Sequence, residues 1–242
     1  MQALSIKTIT PETELSAMVS GNPRMIYFLE HFEIPFPLQG KTVGKICSER
    51  NIQADLFIVL ARVYLGLESI DISSLSVKDL PAIIHFLENT HKYYLEEIYP
   101  GIRESIRQIQ EINDSEGIKM LEPFFFGYFE EVKEHLVYED EIAFPYISTL
   151  VDCLHQKSPR HKLSSYSVRE YKDHHTDIEE KLNDLMNLLI KYLPHKNDQQ
   201  LRRKLFLNLV ELDYDLKMHA RIEDLILIPL VEEAEQQIQD WK

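Results

Sequence analysis

A pair of potential metal ligands that occurs twice constrains this chain more than any other feature of its sequence. His135 and Glu139 recur 84 residues later as His219 and Glu223, within similar surrounding segments. On a helix, side chains four residues apart lie on one face, one turn from each other. An imidazole and a carboxylate in this arrangement can bind a common metal centre. The repeat therefore predicts two helical hairpins that face each other and share a site.

A second pair of histidines obeys the same spacing. His91 lies 44 residues before His135, and His175 lies 44 residues before His219. His85 is six residues from His91, about 240° around a helix, so both cannot face one centre. The repeat selects His91.

His174 and His175 are adjacent, and only one of them can point inward. His174 breaks both spacings, whereas His175 keeps them and lies on the apolar face that Leu182, Leu185 and Leu189 continue. The predicted metal ligands are therefore His91, His135, Glu139, His175, His219 and Glu223.

The alternative for any single residue is a core histidine that bonds to a neighbour, which is the commoner role of a histidine on an apolar face. Six inward-facing polar groups at one level favour a metal instead, because buried imidazoles and carboxylates are costly unless they are paired or coordinated. Mixed nitrogen and oxygen ligands suit iron, zinc or manganese rather than calcium or magnesium. The set suffices for two metal ions and leaves coordination positions for a small ligand.

Other residues recur with the motif or lie outside it. Asp140 and Asp224 are either solvated carboxylates or groups that orient the ligands, and the sequence leaves both roles open. Pro145 and Pro229 follow each histidine by ten residues and are expected to shape the helix end. Surface positions are predicted for the remaining histidines, which lack a partner at ligand spacing: His31, His155, His161 and His195.

Composition narrows the fold class and the class of partner. The chain has 7 glycines and 44% hydrophobic residues, and it lacks alternating β-branched runs, which predicts an all-α protein. A net charge of −14 argues against nucleic acid or an anionic membrane as the main partner. No secretion signal or membrane-spanning stretch is evident, so a cytoplasmic location is predicted. Cys47 and Cys153 are expected to be buried thiols.

The positions of prolines and of polar, serine-rich stretches along the chain predict two parts. Residues 1–72 form a small helical module, with helix starts at Thr10-Pro11 and Asn22-Pro23 and a proline-rich loop near residues 35–40. A polar, serine-rich stretch follows. Residues 76–242 are expected to form an up-down-up-down four-helix bundle, with helices at about 79–112, from about 117 to beyond residue 144, at 165–192 and at 197–238.

The chain resembles haemerythrin-like (HHE) cation-binding proteins and, within them, the Repair of Iron Centres family. The segment from His85 to His91, with Pro100 after it, is similar to the first helix of that family, and the resemblance covers nearly the whole chain. It implies a haemerythrin-like bundle in which the six residues selected above hold two non-haem irons with oxo or carboxylate bridges. The family commonly has adjacent cysteines where this chain has Pro37-Leu38, which leaves Cys47 as the only thiol of the N-terminal module.

The resemblance also implies a function, the repair of iron–sulfur clusters damaged by nitric oxide or oxidants under stress. Its expected partners are dioxygen, nitric oxide or peroxide, and damaged iron–sulfur proteins. Two alternatives stay open at this point: a sensor or carrier of oxygen or nitric oxide, and an enzyme that reduces nitric oxide or peroxide at the same irons. Whether the chain is an enzyme, and whether it forms a homodimer, is not decided by the sequence.

Overall fold

The computed structural model describes residues 9–155, 163, 165–174 and 180–240. These residues form helices and loops without any strand, apart from an isolated bridge between Glu14 and Thr42, so the predicted all-α fold is confirmed. In the described ranges, no helix has the length and apolar character needed to cross a membrane. The helices are α1 Leu15–Gly21, α2 Met25–His31, α3 Val43–Arg50, α4 Ala54–Tyr64, α5 Leu80–Tyr93, α6 Tyr99–Ile112, α7 Glu116–Lys119, α8 Leu121–Tyr138, α9 Phe144–Leu154, α10 Val168–His174, α11 Glu180–Lys191, α12 Gln199–Ile222 and α13 Ile228–Asp240.

The chain packs as two compact units. Unit 1 comprises residues 1–89, 144–168 and 218–242, and unit 2 comprises residues 90–143 and 169–217. Unit 1 thus combines the N-terminal helices with helical segments from later in the chain. The division between a module at 1–72 and a bundle at 76–242 stays a prediction.

The first helices of unit 1 begin later than the prolines suggest. Around Pro11, the backbone N–H of Thr13 donates to the Thr10 carbonyl at 3.0 Å, and the Thr10 N–H donates to the Thr13 hydroxyl at 2.9 Å. These bonds close a turn, so the predicted helix start at Thr10-Pro11 is wrong and α1 begins at Leu15. Helix α2 likewise begins two residues after Pro23.

An aromatic cluster joins α2, α4 and α5 within unit 1. The Phe28 ring centroid lies 5.0 Å from that of Phe57 and 5.7 Å from that of Phe86. His31 is only 2% exposed, and its ring lies 5.5 Å from that of Phe86. The prediction that His31 is a surface residue is wrong, because the buried face of α2 extends to its last residue. The Asn89 side chain donates to the His31 carbonyl at 3.0 Å.

Three hydrogen bonds, made by two charged side chains, hold later segments of the chain within unit 1. The Glu235 carboxylate on α13 accepts hydrogen bonds from the Tyr146 hydroxyl on α9 and from the backbone N–H of Val168, both at 2.7 Å. The Arg221 guanidinium donates to the Leu67 carbonyl at 2.6 Å. A single carboxylate thus joins α9, α13 and the start of α10.

Unit 2 has an apolar core to which α6, α7, α8, α11 and α12 contribute, together with the residues just before α6. The loop after α6 meets the loop after α11, because the Asn113 side chain donates to the Pro194 carbonyl at 2.7 Å. Helices α6 and α11 therefore end at the same side of unit 2, and α8 and α12 run back from it. The alternating direction that the sequence predicts is confirmed in this unit.

Asp198 fixes this junction from a fully buried position just before α12. Its carboxylate accepts hydrogen bonds from Arg202 at 3.0 Å and from Asn113 at 3.1 Å. Burial alone raises the pKa of this carboxyl, but the hydrogen bonds and the charge of Arg202 outweigh burial and hold the pKa at about 2. The carboxylate is therefore ionised and paired at neutral pH.

Within the described residues, three π-helical turns each connect one α-helix to the next: Tyr94–Ile98 between α5 and α6, Glu139–Ala143 between α8 and α9, and Glu223–Leu227 between α12 and α13. Pro100, Pro145 and Pro229 each lie six residues after the first residue of such a turn. Proline lacks an N–H, and its ring displaces the carbonyl four residues earlier, which lies inside the π turn in every case. The recurring prolines therefore explain why each helix widens at this position.

Candidate metal centre

The first repeated pair lies at the junction of α8 and the second π turn, in unit 2. Glu139 begins the π turn directly after α8, and its carboxylate is fully buried. His135 lies one turn earlier, with its side chain 9% exposed, and its Nε2 is 3.2 Å from Glu139 Oε1. The four-residue spacing thus brings this imidazole against this carboxylate.

His91 approaches the other oxygen of the same carboxylate. It lies near the end of α5, is 1% exposed, and places its Nε2 at 3.2 Å from Glu139 Oε2. Each oxygen of Glu139 therefore faces a different imidazole. Two separate helical segments of unit 2 converge on one buried carboxylate.

The spacing of these atoms suits metal binding. Two ligand atoms bound side by side to one ion, each at about 2.1 Å, lie about 3 Å from each other. The nitrogen-to-oxygen distances on both sides of Glu139 match this value, and the structure has His and Glu groups close enough to hold a metal ion. A buried carboxylate flanked by two imidazoles is also an unfavourable environment unless a cation or a proton compensates the charge.

Asp140 contacts the far side of the His91 ring. Its Oδ1 lies 2.8 Å from His91 Nδ1, and its side chain is 39% exposed. A proton on Nδ1 that is donated to this carboxylate leaves the lone pair of Nε2 directed at Glu139. Of the two roles that the sequence left open for Asp140, the geometry favours orientation of the ligand.

Tyr171 is a site residue that the sequence did not suggest. It lies on α10 in unit 2, is 2% exposed, and its hydroxyl donates to Glu139 Oε1 at 2.9 Å. Tyrosine is not part of the repeat, so the spacing that found the histidines passed over it. The available signal was its position four residues before His175, which is one helical turn.

The second repeated pair lies at the corresponding junction in unit 1. His219 is near the end of α12, and Glu223 begins the third π turn. The Nε2 of His219 lies 3.4 Å from Glu223 Oε1, and the two side chains are 5% and 0% exposed. The repeat in sequence is thus a repeat in local structure: a buried pair, a π turn and a proline.

The remaining predicted residues stand as follows. His175 lies outside the described residues, so the choice between His175 and His174 stays a prediction. Asp224, the counterpart of Asp140, is exposed, and its role also stays a prediction. His85 is exposed and lies 3.3 Å from Glu33. His155 and His195 are exposed as predicted, and His161 is outside the described residues.

Both cysteines are buried as predicted. Burial raises the pKa of the Cys47 thiol to about 11, so this thiol is protonated at neutral pH. The apolar face of α3 on which Cys47 lies is buried as well. A protonated, enclosed thiol is a poor nucleophile and a poor metal ligand.

Comparison with known proteins gives one informative likeness. The chain is 20% identical over 224 residues to the iron-sulfur cluster repair protein ScdA of Staphylococcus haemolyticus (strain JCSC1435). The match covers 90% of this chain and 97% of that protein. No family model matches the chain, and no solved structure gives a significant match. The similarity is distant, but it extends over nearly the full length of both proteins.

Proposed function

We propose that this chain is a non-haem di-iron protein that takes part in the repair of iron–sulfur clusters damaged by nitric oxide or oxidants. The main observation in support of this proposal is the environment of Glu139. Its two carboxylate oxygens face the imidazoles of His135 and His91 at 3.2 Å each. A carboxylate that offers one oxygen to each of two ions is the arrangement of a bridging ligand. Two ions, rather than one, are therefore the simplest occupants.

The remaining ligands of the proposed centre come from the second copy of the repeat. His219 and Glu223 form the same buried pair as His135 and Glu139. The proposal includes His175 because it lies 44 residues before His219, as His91 lies 44 residues before His135. The full set would be four imidazoles and two carboxylates, which suits iron and leaves positions for a small ligand such as dioxygen, nitric oxide or peroxide. When bound, the iron pair would supply redox chemistry and gas binding.

The repair role rests on the likeness to a protein named for iron–sulfur cluster repair. That likeness covers most of both chains, so it includes the N-terminal region as well as the ligand-bearing helices. The proposed partners are damaged iron–sulfur proteins, and the proposed location is the cytoplasm. Cys47 does not fit a thiol-based repair chemistry, because it is buried and protonated.

A reconstituted assay tests the role. An enzyme whose iron–sulfur cluster has been damaged by nitric oxide is mixed anaerobically with the iron-loaded full chain, and recovered activity is measured against free ferrous iron at equal concentration. Recovery should exceed the free-iron control. His135→Ala should lose most iron and most recovery, whereas the exposed His155→Ala provides a matched control that keeps both.

The two other functions give different outcomes in the same experiment. Catalytic consumption of nitric oxide or peroxide with a reductant, without recovery of the damaged enzyme, would support a reductase. Reversible binding of oxygen or nitric oxide without turnover and without recovery would support a sensor or carrier. Either result would overturn the repair proposal while leaving the metal centre in place.

A further inference from the structure

The two oxygens of Glu139 have chemically different surroundings within unit 2. Oε1 accepts a hydrogen bond from the Tyr171 hydroxyl at 2.9 Å and also faces His135. A phenol that donates to a carboxylate oxygen withdraws electron density from it, so that oxygen becomes a weaker ligand. The metal ion on the His135 side would therefore be held less tightly.

The opposite effect operates on the His91 side. Asp140 accepts from His91 Nδ1 at 2.8 Å, which makes the imidazole a stronger donor through its other nitrogen. His91 Nε2 faces Glu139 Oε2, the oxygen that does not receive the phenol. Two independent contacts thus favour the ion on the His91 side over the ion on the His135 side.

We propose that Tyr171 and Asp140 make the two metal positions unequal, so that the ion beside His91 binds first and more tightly than the ion beside His135. This inference rests on the proposed two-metal centre. Tyr171 and Asp140 are positioning residues, since they contact ligands and not the metal. The repeat in sequence does not supply Tyr171 twice, because the residue 84 positions before it is Leu87, whose side chain cannot donate a hydrogen bond.

The direction in which metal affinity changes when Tyr171 is replaced distinguishes this role from a purely structural one. Loss of an ordinary orienting partner lowers metal affinity by about 10- to 100-fold. Removal of the Tyr171 hydroxyl should instead raise affinity at the weaker position, because Oε1 regains electron density. In Tyr171→Phe, the metal-free protein also loses the hydrogen bond that stabilises the buried Glu139 carboxylate. Metal binding is therefore favoured further. The expected change in affinity is therefore an increase, opposite in sign to the loss that removal of an ordinary orienting partner causes.

The experiment uses the apo full chain, loaded anaerobically with ⁵⁷Fe²⁺ in competition with a ferrous chelator of known affinity. Mössbauer spectra after one and two equivalents report which position fills. The wild type should load in two resolved steps. Tyr171→Phe should tighten the second step until the steps approach each other, and Asp140→Asn should weaken the first step. Tyr128→Phe, a buried tyrosine in the core of the same unit, is the matched control and should match the wild type.

A wild type that loads both irons in one step of equal affinity would overturn the inference, as would a Tyr171→Phe protein with unchanged or weaker second-step affinity. If Tyr171→Phe does not fold, the first-step change in Asp140→Asn decides the question. Failure of every protein to bind a second iron would overturn the two-metal centre itself. Two unequal steps without cluster recovery would overturn only the repair role.

Discussion

Glu139 is both a buried residue and the central ligand of the proposed metal centre. Its side chain is fully buried, yet it contacts two imidazoles and a phenol. In an apolar core such a group is destabilising unless its charge is compensated. The surrounding residues compensate it in part, and the proposed metal ions would complete the compensation.

At the same scale, Cys47 should have no chemical role. Cys47→Ser is expected to leave iron content and cluster recovery unchanged, because the thiol is enclosed and its pKa is raised to about 11. Burial of a hydroxyl in place of the thiol should cost roughly 1 kcal/mol of unfolding free energy. Thermal melting and the recovery assay check both parts. Loss of recovery with normal iron content would show that the thiol reacts after all.

Asp198 should contribute to stability in a pH-dependent way. Its pKa in the folded protein, about 2, is below its usual value, so the folded state binds fewer protons and the contribution is present above pH 4. The contribution is lost as the pH falls toward 2. Asp198→Asn should therefore be less stable than the wild type by on the order of 2 kcal/mol at pH 7.

The difference in stability between Asp198→Asn and the wild type should become smaller between pH 4 and pH 2. Urea unfolding at several pH values measures this difference. The exposed Asp114, which pairs with Lys196 in the same pair of loops, offers a matched control. Asp114→Asn should change stability little at any pH, because exposed ion pairs contribute little. A deficit for Asp198→Asn that does not vary with pH would contradict the account of this junction.

At the level of the helices, each glutamate of the repeat stands where an α-helix passes into a π turn. The same change occurs at Tyr94, three residues after His91. A π turn adds a residue to the helical turn and so alters the direction of the side chains that follow it. We therefore expect the π turns to influence how the carboxylates of Glu139 and Glu223 are held.

Pro145→Ala tests the link between proline, π turn and ligand. Alanine restores a backbone N–H and removes the ring that displaces an earlier carbonyl, which should stabilise the metal-free helix by up to about 3 kcal/mol. Closure of the π turn should also rotate Glu139 and reduce iron retention. Iron content and apo melting temperature are measured together.

Pro123→Ala is the matched control, because Pro123 lies in the first turn of α8, where no N–H is required. Pro123→Ala should change neither the iron content nor the melting temperature of the apo protein. A Pro145→Ala protein that melts higher and keeps all its iron would show that the π turn is not needed to aim the carboxylate.

For the molecule as a whole, the sequence predicted the helical class, the helix breaks near residues 113–117 and 194–198, and the approach of His135 to Glu139 and of His219 to Glu223. These features follow from periodicity and from local spacing. Three others could not be predicted in this way. The donation from Tyr171 to Glu139 depends on packing between α10 and α8, the burial of His31 depends on an aromatic cluster from three helices, and the Thr10-Pro11 turn depends on the side chain of Thr13.

If the proposed centre is correct, Glu139 would be the ligand that two iron ions share. Mössbauer spectroscopy of the ⁵⁷Fe-loaded full chain, with iron analysis of the same sample and of Glu139→Gln, measures this. We expect about two irons per chain, a spin-coupled pair in the oxidised protein, and loss of the coupled signal in Glu139→Gln. One isolated iron per chain, or an unchanged coupled pair in Glu139→Gln, would show that Glu139 does not link two irons.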